Sequence, residues 1–317
     1  MSEQSAEALE ETGRWRARDV RYWGGSVERM KALMPTFALE DFVAKSGTAP
    51  NPYMKSVVRQ PMTRFEHPLP VGVVSNSYTL VQHHEVARRC LDGIKQAGVD
   101  AAMLKCELGL TELGEWMNLR LYFPDDFDHT PKDGFPLKLR LECFNSVDGS
   151  YRLVILLGWL RFVCSNGMVI GETKADFREV HDERLDLDPI PFMIGDAMNK
   201  IGRERERLKE WDSKKVTPEK LARWIDGPVT KEWGKKAACR VFHICKTGHD
   251  AEIRDQFEGG EATAKSVKLL DPVPGAVSGA NTVYAVSQAL TYVATGRTNA
   301  EERLDWQSDV APLLARL

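Results

Sequence analysis

The sequence has no long apolar run. No stretch of its 317 residues approaches the ~18–20 consecutive apolar side chains that a membrane-spanning helix needs, so no membrane partner is expected. The opening residues, MSEQSAEALEETGRWRARD, are acidic and then basic. They hold no apolar core of the kind a secretory leader carries, and a cytoplasmic location is expected. Cysteine is sparse. Cys90, Cys106, Cys143, Cys164, Cys239 and Cys245 are scattered and mostly sit in apolar runs, which reads as reduced, buried thiols rather than a disulfide framework. There is no Gly-x4-Gly-Lys-Ser/Thr loop, no Gly-x-Gly-x-x-Gly after a strand, no His-Glu-x-x-His and no Gly-x-Ser-x-Gly. These gaps weigh against ATPase, dinucleotide-dependent, zinc-protease and serine-hydrolase chemistry, and no cofactor is expected. A net charge of -3 excludes a crude polycation, and no internal repeat is visible.

What is present is organised around residues 135–171. Leu137, Leu139, Leu141 and Cys143 alternate with Lys138, Arg140, Glu142 and Phe144, the period of a strand. Asn145-Ser146-Val147-Asp148-Gly149 supplies a turn in which glycine accepts positive φ. Leu153 to Leu157 returns apolar on both faces, as a strand covered on both sides does. Ser165-Asn166-Gly167 marks the end of this hairpin. Ahead of it, Val71–Val74 reads as a strand. Residues 81–98 form a helix with Val86, Cys90, Ile94 and Ala97 in phase and Gly98 at its end. Residues 115–123 form a strand with Met117, Leu119 and Leu121 on one face. The order implies an α+β fold: an antiparallel sheet on a long central hairpin, flanking helices, then a mostly helical C-terminal region.

Five regions are expected. Residues 1–65 form an N-terminal arm, partly irregular and with a short helix at most in its first 30 residues; proline density after residue 31 argues against long helices there. Residues 66–190 form the core. Residues 191–249 form a basic helical segment, opened by one long helix from Pro191 and continued from Thr217, an N-cap with Pro218 behind it. Residues 250–280, with Gly259-Gly260, Pro272, Pro274, Gly275 and Gly279, read as a linker or mobile loop. Residues 281–317 are helices that pack on the core. Charge follows these lines: residues 200–249 carry 14 Lys/Arg against 7 Asp/Glu, between two acidic regions.

Each candidate site has a plain structural counterpart. Lys200, Arg203, Arg207 and Lys214 lie within about 60° on one helix face and suit a phosphate backbone. The counterpart is a solvated face paired to Glu204, Glu206 and Glu210. Trp116, Arg120, Tyr122, Lys138, Arg140 and Phe144 interleave aromatics and cations on the second face of the strands. Such a face stacks bases and holds phosphates, unless helices cover it; Arg152 and Arg161 join this set. Cys164 is a nucleophile only if a base such as His181 lies near, and is otherwise core. Cys239, His243, Cys245 and His249 are zinc-type ligands, but their two pairs lie about 120° apart on a continuous helix. His181, Asp182, Glu183, Asp186 and Asp188 form either a hard-cation site or a solvated acidic loop.

Three stretches carry a resemblance. Val73-Val74-Ser75-Asn76-Ser77-Tyr78-Thr79-Leu80-Val81-Gln82 is similar to a strand that leads through a tyrosine into a helix. Asn145–Gly149 with Leu160-Arg161-Phe162-Val163-Cys164-Ser165-Asn166 resembles a hairpin ending in Arg-x-x-Cys-Ser-Asn. Phe177-Arg178-Glu179-Val180-His181 resembles the Arg and His that follow. Together they resemble the domain of unknown function 932 family of phage- and plasmid-encoded proteins over about residues 70–182; Asn281-Thr282-Val283-Tyr284 is similar to one of its helix starts. The motif positions are Tyr78, Arg161, Cys164, Asn166 and His181. The resemblance carries no settled activity. It implies a mobile-element context, often near genes for recombination or single-strand handling. The expected function is therefore nucleic-acid binding without catalysis, single-stranded DNA favoured, in recombination or replication. A homo-oligomer suits it, because weak phosphate contacts then add along one strand. The alternatives are a counter-defence or regulatory factor that docks on a host or phage protein through residues 281–317, and a metal-dependent nuclease or hydrolase using the acids at 181–188.

Overall fold

A computed structural model of the chain describes residues 7–15, 18–47, 49–132, 134, 136–161, 177–258, 261–276 and 278–317. In chain order the elements are β1 (Glu7–Trp15), β2 (Arg18–Gly25), α1 (Val27–Leu33), β3 (Phe37–Val43), β4 (Pro50–Arg59), β5 (Leu69–Ser75), α2 (His83–Gln96), β6 (Lys105–Thr111) and β7 (Trp116–Tyr122). There follow β8 (Leu137–Ser146), β9 (Leu153–Arg161), β10 (Phe177–Glu179), α3 (Pro189–Asn199), α4 (Ile201–Ser213), α5 (Pro218–Trp224), α6 (Thr230–Thr247), β11 (His249–Glu258), β12 (Glu261–Pro272), α7 (Val283–Thr295) and α8 (Ala300–Ala315).

Alternation becomes strand where the sequence places it. β8 and β9 pair antiparallel from Leu137 opposite Arg161 to Phe144 opposite Val154. The turn between them is closed by Asp148, whose carboxylate accepts from the Ser150 amide at 3.0 Å, and by Gly149 at φ +73. The hairpin lies inside a seven-stranded antiparallel sheet of order β1-β2-β6-β7-β8-β9-β10. One face of this sheet presents Leu108, Met117, Leu119, Leu121, Leu139, Leu141, Cys143, Ile155 and Trp159. Against it pack Val86, Cys90 and Ile94 of α2 and Ile190 and Ile194 of α3. The fold is α+β.

Between β2 and β6 the chain forms a separate three-stranded sheet, β3-β4-β5. Phe37, Val57 and Val74 pack onto Val147 at the hairpin turn. A second core unites the C-terminal helices through Trp224, Val229, Trp233, Val241, Val286, Leu290 and Leu313. Trp211 of α4 touches both cores.

Three expectations change. Residues 7–25 are not an arm: β1 and β2 extend the main sheet, with Val20 and Tyr22 two residues apart and 1% exposed. The helix from Pro191 stops at Lys200, whose amide makes a tight bond to the Ala197 carbonyl at 3.1 Å before α4 begins. Residues 250–280 do not form a linker throughout, because β11 and β12 pair as a long two-stranded ribbon. Gly259-Gly260 connects the paired residues Glu258 and Glu261. The glycine pair itself lies outside the described residues.

Candidate functional site

The second face of the main sheet holds the aromatic and cationic side chains, and it is covered. Trp116 is 0% exposed, Tyr122 9%, Arg140 7% and Arg120 5%. Cross-strand register explains the arrangement: Arg120 lies opposite Glu142, and Tyr122 opposite Arg140. Arg120 Nε donates to Glu142 at 3.2 Å and its Nη1 to Glu107 at 3.3 Å. Arg140 also pairs with Glu142. Tyr122 donates to Glu107 at 2.9 Å. Gly109 opens space for the Tyr22 ring, since a Cβ there would meet Tyr22 Cε1 at 2.6 Å. The Tyr22 hydroxyl then donates to Asn118 at 2.9 Å, and Arg120 lies 4.4 Å above the ring. Burial alone would raise the Glu142 carboxyl; the charges of Arg140 and Arg120 override it and hold it at about 2. The C-terminal helix approaches this side: Arg178 donates to Asp305 at 2.9 Å, and the charge of Arg303 reaches Glu142. This face is an internal ion-pair network and not an open stacking platform. Lys138 is held by Asp125 and Asp128. Arg152 stays exposed beside the Tyr151 ring.

The motif residues gather at the turn end of the hairpin. Tyr78 stacks on His181 with ring centroids 5.2 Å apart, and its hydroxyl donates to the Ser146 carbonyl at 3.0 Å. His181 Nδ1 donates to the Thr79 carbonyl at 3.2 Å. His83 Nε2 donates to the Gly114 carbonyl at 2.8 Å, which leaves Nδ1 to accept from Asn145 at 3.0 Å. Burial holds His83 down at about 4 and lowers His181 as well. These contacts tie the 76–83 connection and residue 181 to the central hairpin, a positioning role. Arg161 closes β9 opposite Leu137, while Cys164 and Asn166 lie outside the described residues. Nothing local in the sequence distinguishes His83 from the exposed His84 beside it.

The candidate metal ligands do not converge. Asp182 is bound by its neighbour Arg184, Asp186 accepts from the Asp188 amide, and Asp188 pairs with Arg89. The helix carrying Cys239, His243 and Cys245 runs unbroken past Cys245, which is buried, while His249 Nδ1 donates to the Leu270 carbonyl. Among the described residues no group of three or more His, Cys, Asp or Glu is placed to hold a metal ion.

The basic segment divides in two. On and just before α4 the cations are largely used: Lys200 pairs with Asp196, Arg207 with Glu204 and Lys209 with Glu206, and Arg205 donates to the Asp126 carbonyl at 2.7 Å. Arg203 and Lys214 stay exposed. From Lys214 onward, Lys214, Lys215, Lys220, Arg223, Lys231, Lys235 and Lys236 are all exposed, and only Arg223 acts on a carboxylate among the described residues, that of Glu219. Thr217 caps α5 through the Lys220 amide at 3.3 Å. Leu221 and Trp224 turn inward from α5, and Trp233 and Ala237 from α6, so these cations take the solvent side.

The arrangement defines an α+β protein with a self-satisfied polar sheet and a basic helical exterior. The chain matches the family described as domain of unknown function (DUF932) over residues 70–309. It belongs to that family. No curated protein and no solved structure matches it. Among the described residues no helix is long and apolar enough to cross a membrane.

Proposed function

We propose that this protein binds the phosphate backbone of nucleic acid through α5, α6 and the segment before them, without catalysis. One observation carries the reading: between Lys214 and Lys236 the chain has seven exposed cations against three acids, and of the seven only Arg223 acts on a carboxylate among the described residues, that of Glu219. At α4, by contrast, Lys200, Arg207 and Lys209 each pair with a carboxylate three or four residues away. A run with so few such pairs suits a polyanion whose counterions are released on binding. The grip lies further along the chain than Lys200 and Arg207. Bases do not stack on Trp116 and Tyr122, which are interior. Single-stranded DNA is the first polymer to test, on the mobile-element context that the family resemblance implies.

The test is anisotropy of a labelled single-stranded oligonucleotide across a salt series. The expected log–log slope is about -0.7 per phosphate neutralised. Lys220→Glu with Arg223→Glu and Lys231→Glu weakens binding at least about tenfold and flattens the slope, with the melting temperature unchanged. No binding at low salt sinks the proposal. The protein-docking alternative loses its surface at residues 281–317, where Val283, Val286, Leu290 and Val293 are fully buried. Its support lies elsewhere, in exposed apolar side chains such as Tyr53 of the three-stranded sheet, Phe65 and Phe192.

A further inference from the structure

The basic surface is made almost wholly of lysine. From Lys214 to Lys236 six of the seven cations are lysine, and the single arginine, Arg223, acts on Glu219. Lysine is a compact, hydrated point charge that suits a phosphate, whereas arginine is the cation that stacks on a base or reads one through two bonds. All four aromatic residues from Trp211 to Phe242 are spent inside the protein. Trp224 is buried, and its Nε1 donates to the Leu313 carbonyl at 2.9 Å. Trp233 is buried and stacks on Trp306 with centroids 4.7 Å apart, and Arg297 lies 4.2 Å over the Trp306 ring. Trp211 is half-buried against both cores, with Arg207 5.3 Å over its ring. Phe242 packs on the second core, with Lys246 5.5 Å over its ring. A nucleic acid held along α5 and α6 therefore meets charge and finds no stacking platform there.

We propose that this surface takes duplex nucleic acid in preference to single strands, and without regard to sequence. Proteins that hold single strands gain much of their affinity from bases stacked on aromatic rings. Without stacking, affinity follows the density of phosphate charge. A DNA duplex carries one charge per ~1.7 Å of its axis against one per ~3.4 Å for each strand, and it releases ~0.9 counterion per neutralised phosphate against ~0.7. A duplex also arrives rigid, whereas a flexible strand must be ordered along fixed lysines with no stacked base to offset the lost freedom. Lysines on phosphates carry no sequence information. The family resemblance points to single strands, and the side chains of the basic surface point away from them. The inference rests on the phosphate-binding reading for the contact itself and departs from it only in the polymer.

Anisotropy with a labelled duplex, each of its separated strands and an oligothymidylate of equal length tests it. At about 50 mM salt the duplex is expected to bind at least about fivefold more tightly than any of the single strands, with the steeper log–log salt slope. Two duplexes of unrelated sequence are expected to agree within about threefold. Intrinsic tryptophan fluorescence is expected to be unchanged at saturation with the single strand, because a base stacked on an indole would quench it. Arg223→Lys is expected to keep duplex affinity within about twofold. The charge-reversed Lys220/Arg223/Lys231 variant is expected to weaken the duplex by at least about tenfold. A single strand bound as tightly as the duplex or more so, tryptophan quenching by the single strand, or a tenfold preference between duplexes overturns the proposal and leaves the phosphate reading standing. Binding of neither polymer at low salt overturns both, and so does duplex binding that the charge-reversed variant retains in full.

Discussion

His83 and Glu142 show how single residues carry this fold's pH dependence. His83 is fully buried and neutral, with its folded value near 4 against an ordinary 6.5. Below pH 6.5 the unfolded chain takes up a proton that the folded chain refuses until about pH 4. Stability therefore falls as pH drops through that window, by up to about 1.4 kcal/mol per pH unit and about 3 kcal/mol in all. His181, lowered by burial, adds to the same loss. Glu142 acts lower down. Its stabilisation is present above its ordinary 4.5 and disappears as pH falls toward 2. Thermal melts from pH 7 to pH 4 should show a steady decline in midpoint, and His83→Gln should flatten it. A midpoint independent of pH over that range would contradict the buried neutral imidazole. Little of this was legible in the sequence. Arg120, Arg140 and Glu142 read as an outward cationic face, because alternation assigns a residue to a face and says nothing of what covers it.

Among the elements, β2 is the instructive case. It docks on β6 with Tyr22 opposite Gly109, and only a missing side chain lets the ring lie flat there. Gly109→Ala is expected to cost about 1–3 kcal/mol by overpacking and to break the Tyr22–Asn118 bond. Urea denaturation checks this, and the penalty of Gly109→Ala should shrink when it is measured in a Tyr22→Ala background. Equal stability of Gly109→Ala and the wild type would mean that β2 shifts without penalty. The elements themselves were legible where their signals are local. Thr217-Pro218 starts α5, Gly98 lies just past α2 with φ +83, and the apolar phase of 283–293 becomes α7. β6 and β1 went unread because glycines and charges interrupt their alternation. In the ribbon the turn signal of the glycine pair competes with the alternation of Ile253, Val267 and Leu269, and the sequence alone does not decide between them.

The molecule as a whole is two cores joined at Trp211, with a sheet and a ribbon appended. The ribbon is anchored at its base by Arg240–Asp250 and by buried Ala251 and Val273, while Val267 and Leu269 stand exposed. Replacing residues 253–268 by a two-residue turn is therefore expected to shift the melting midpoint by no more than about 3 °C. A large drop would show that the ribbon belongs to the C-terminal core. The same view separates the two basic regions: at α4, between the cores, most cations are paired, whereas Lys220 of α5 and Lys231, Lys235 and Lys236 at the start of α6 are exposed with no ion pair among the described residues.

The sequence by itself determined the class, the central hairpin, most helices and the position of the basic segment, because periods of 2 and 3.6 and turn chemistry act over a few residues. Tertiary structure alone decided which charges are spent and which are free. The sheet's polar face closes when Tyr22 arrives from the N-terminal strands and α8 from the far end of the chain. Arg18 reaches Asp148 and Arg178 reaches Asp305 across more than a hundred residues. Such pairings depend on the path of the whole chain, which no local pattern encodes.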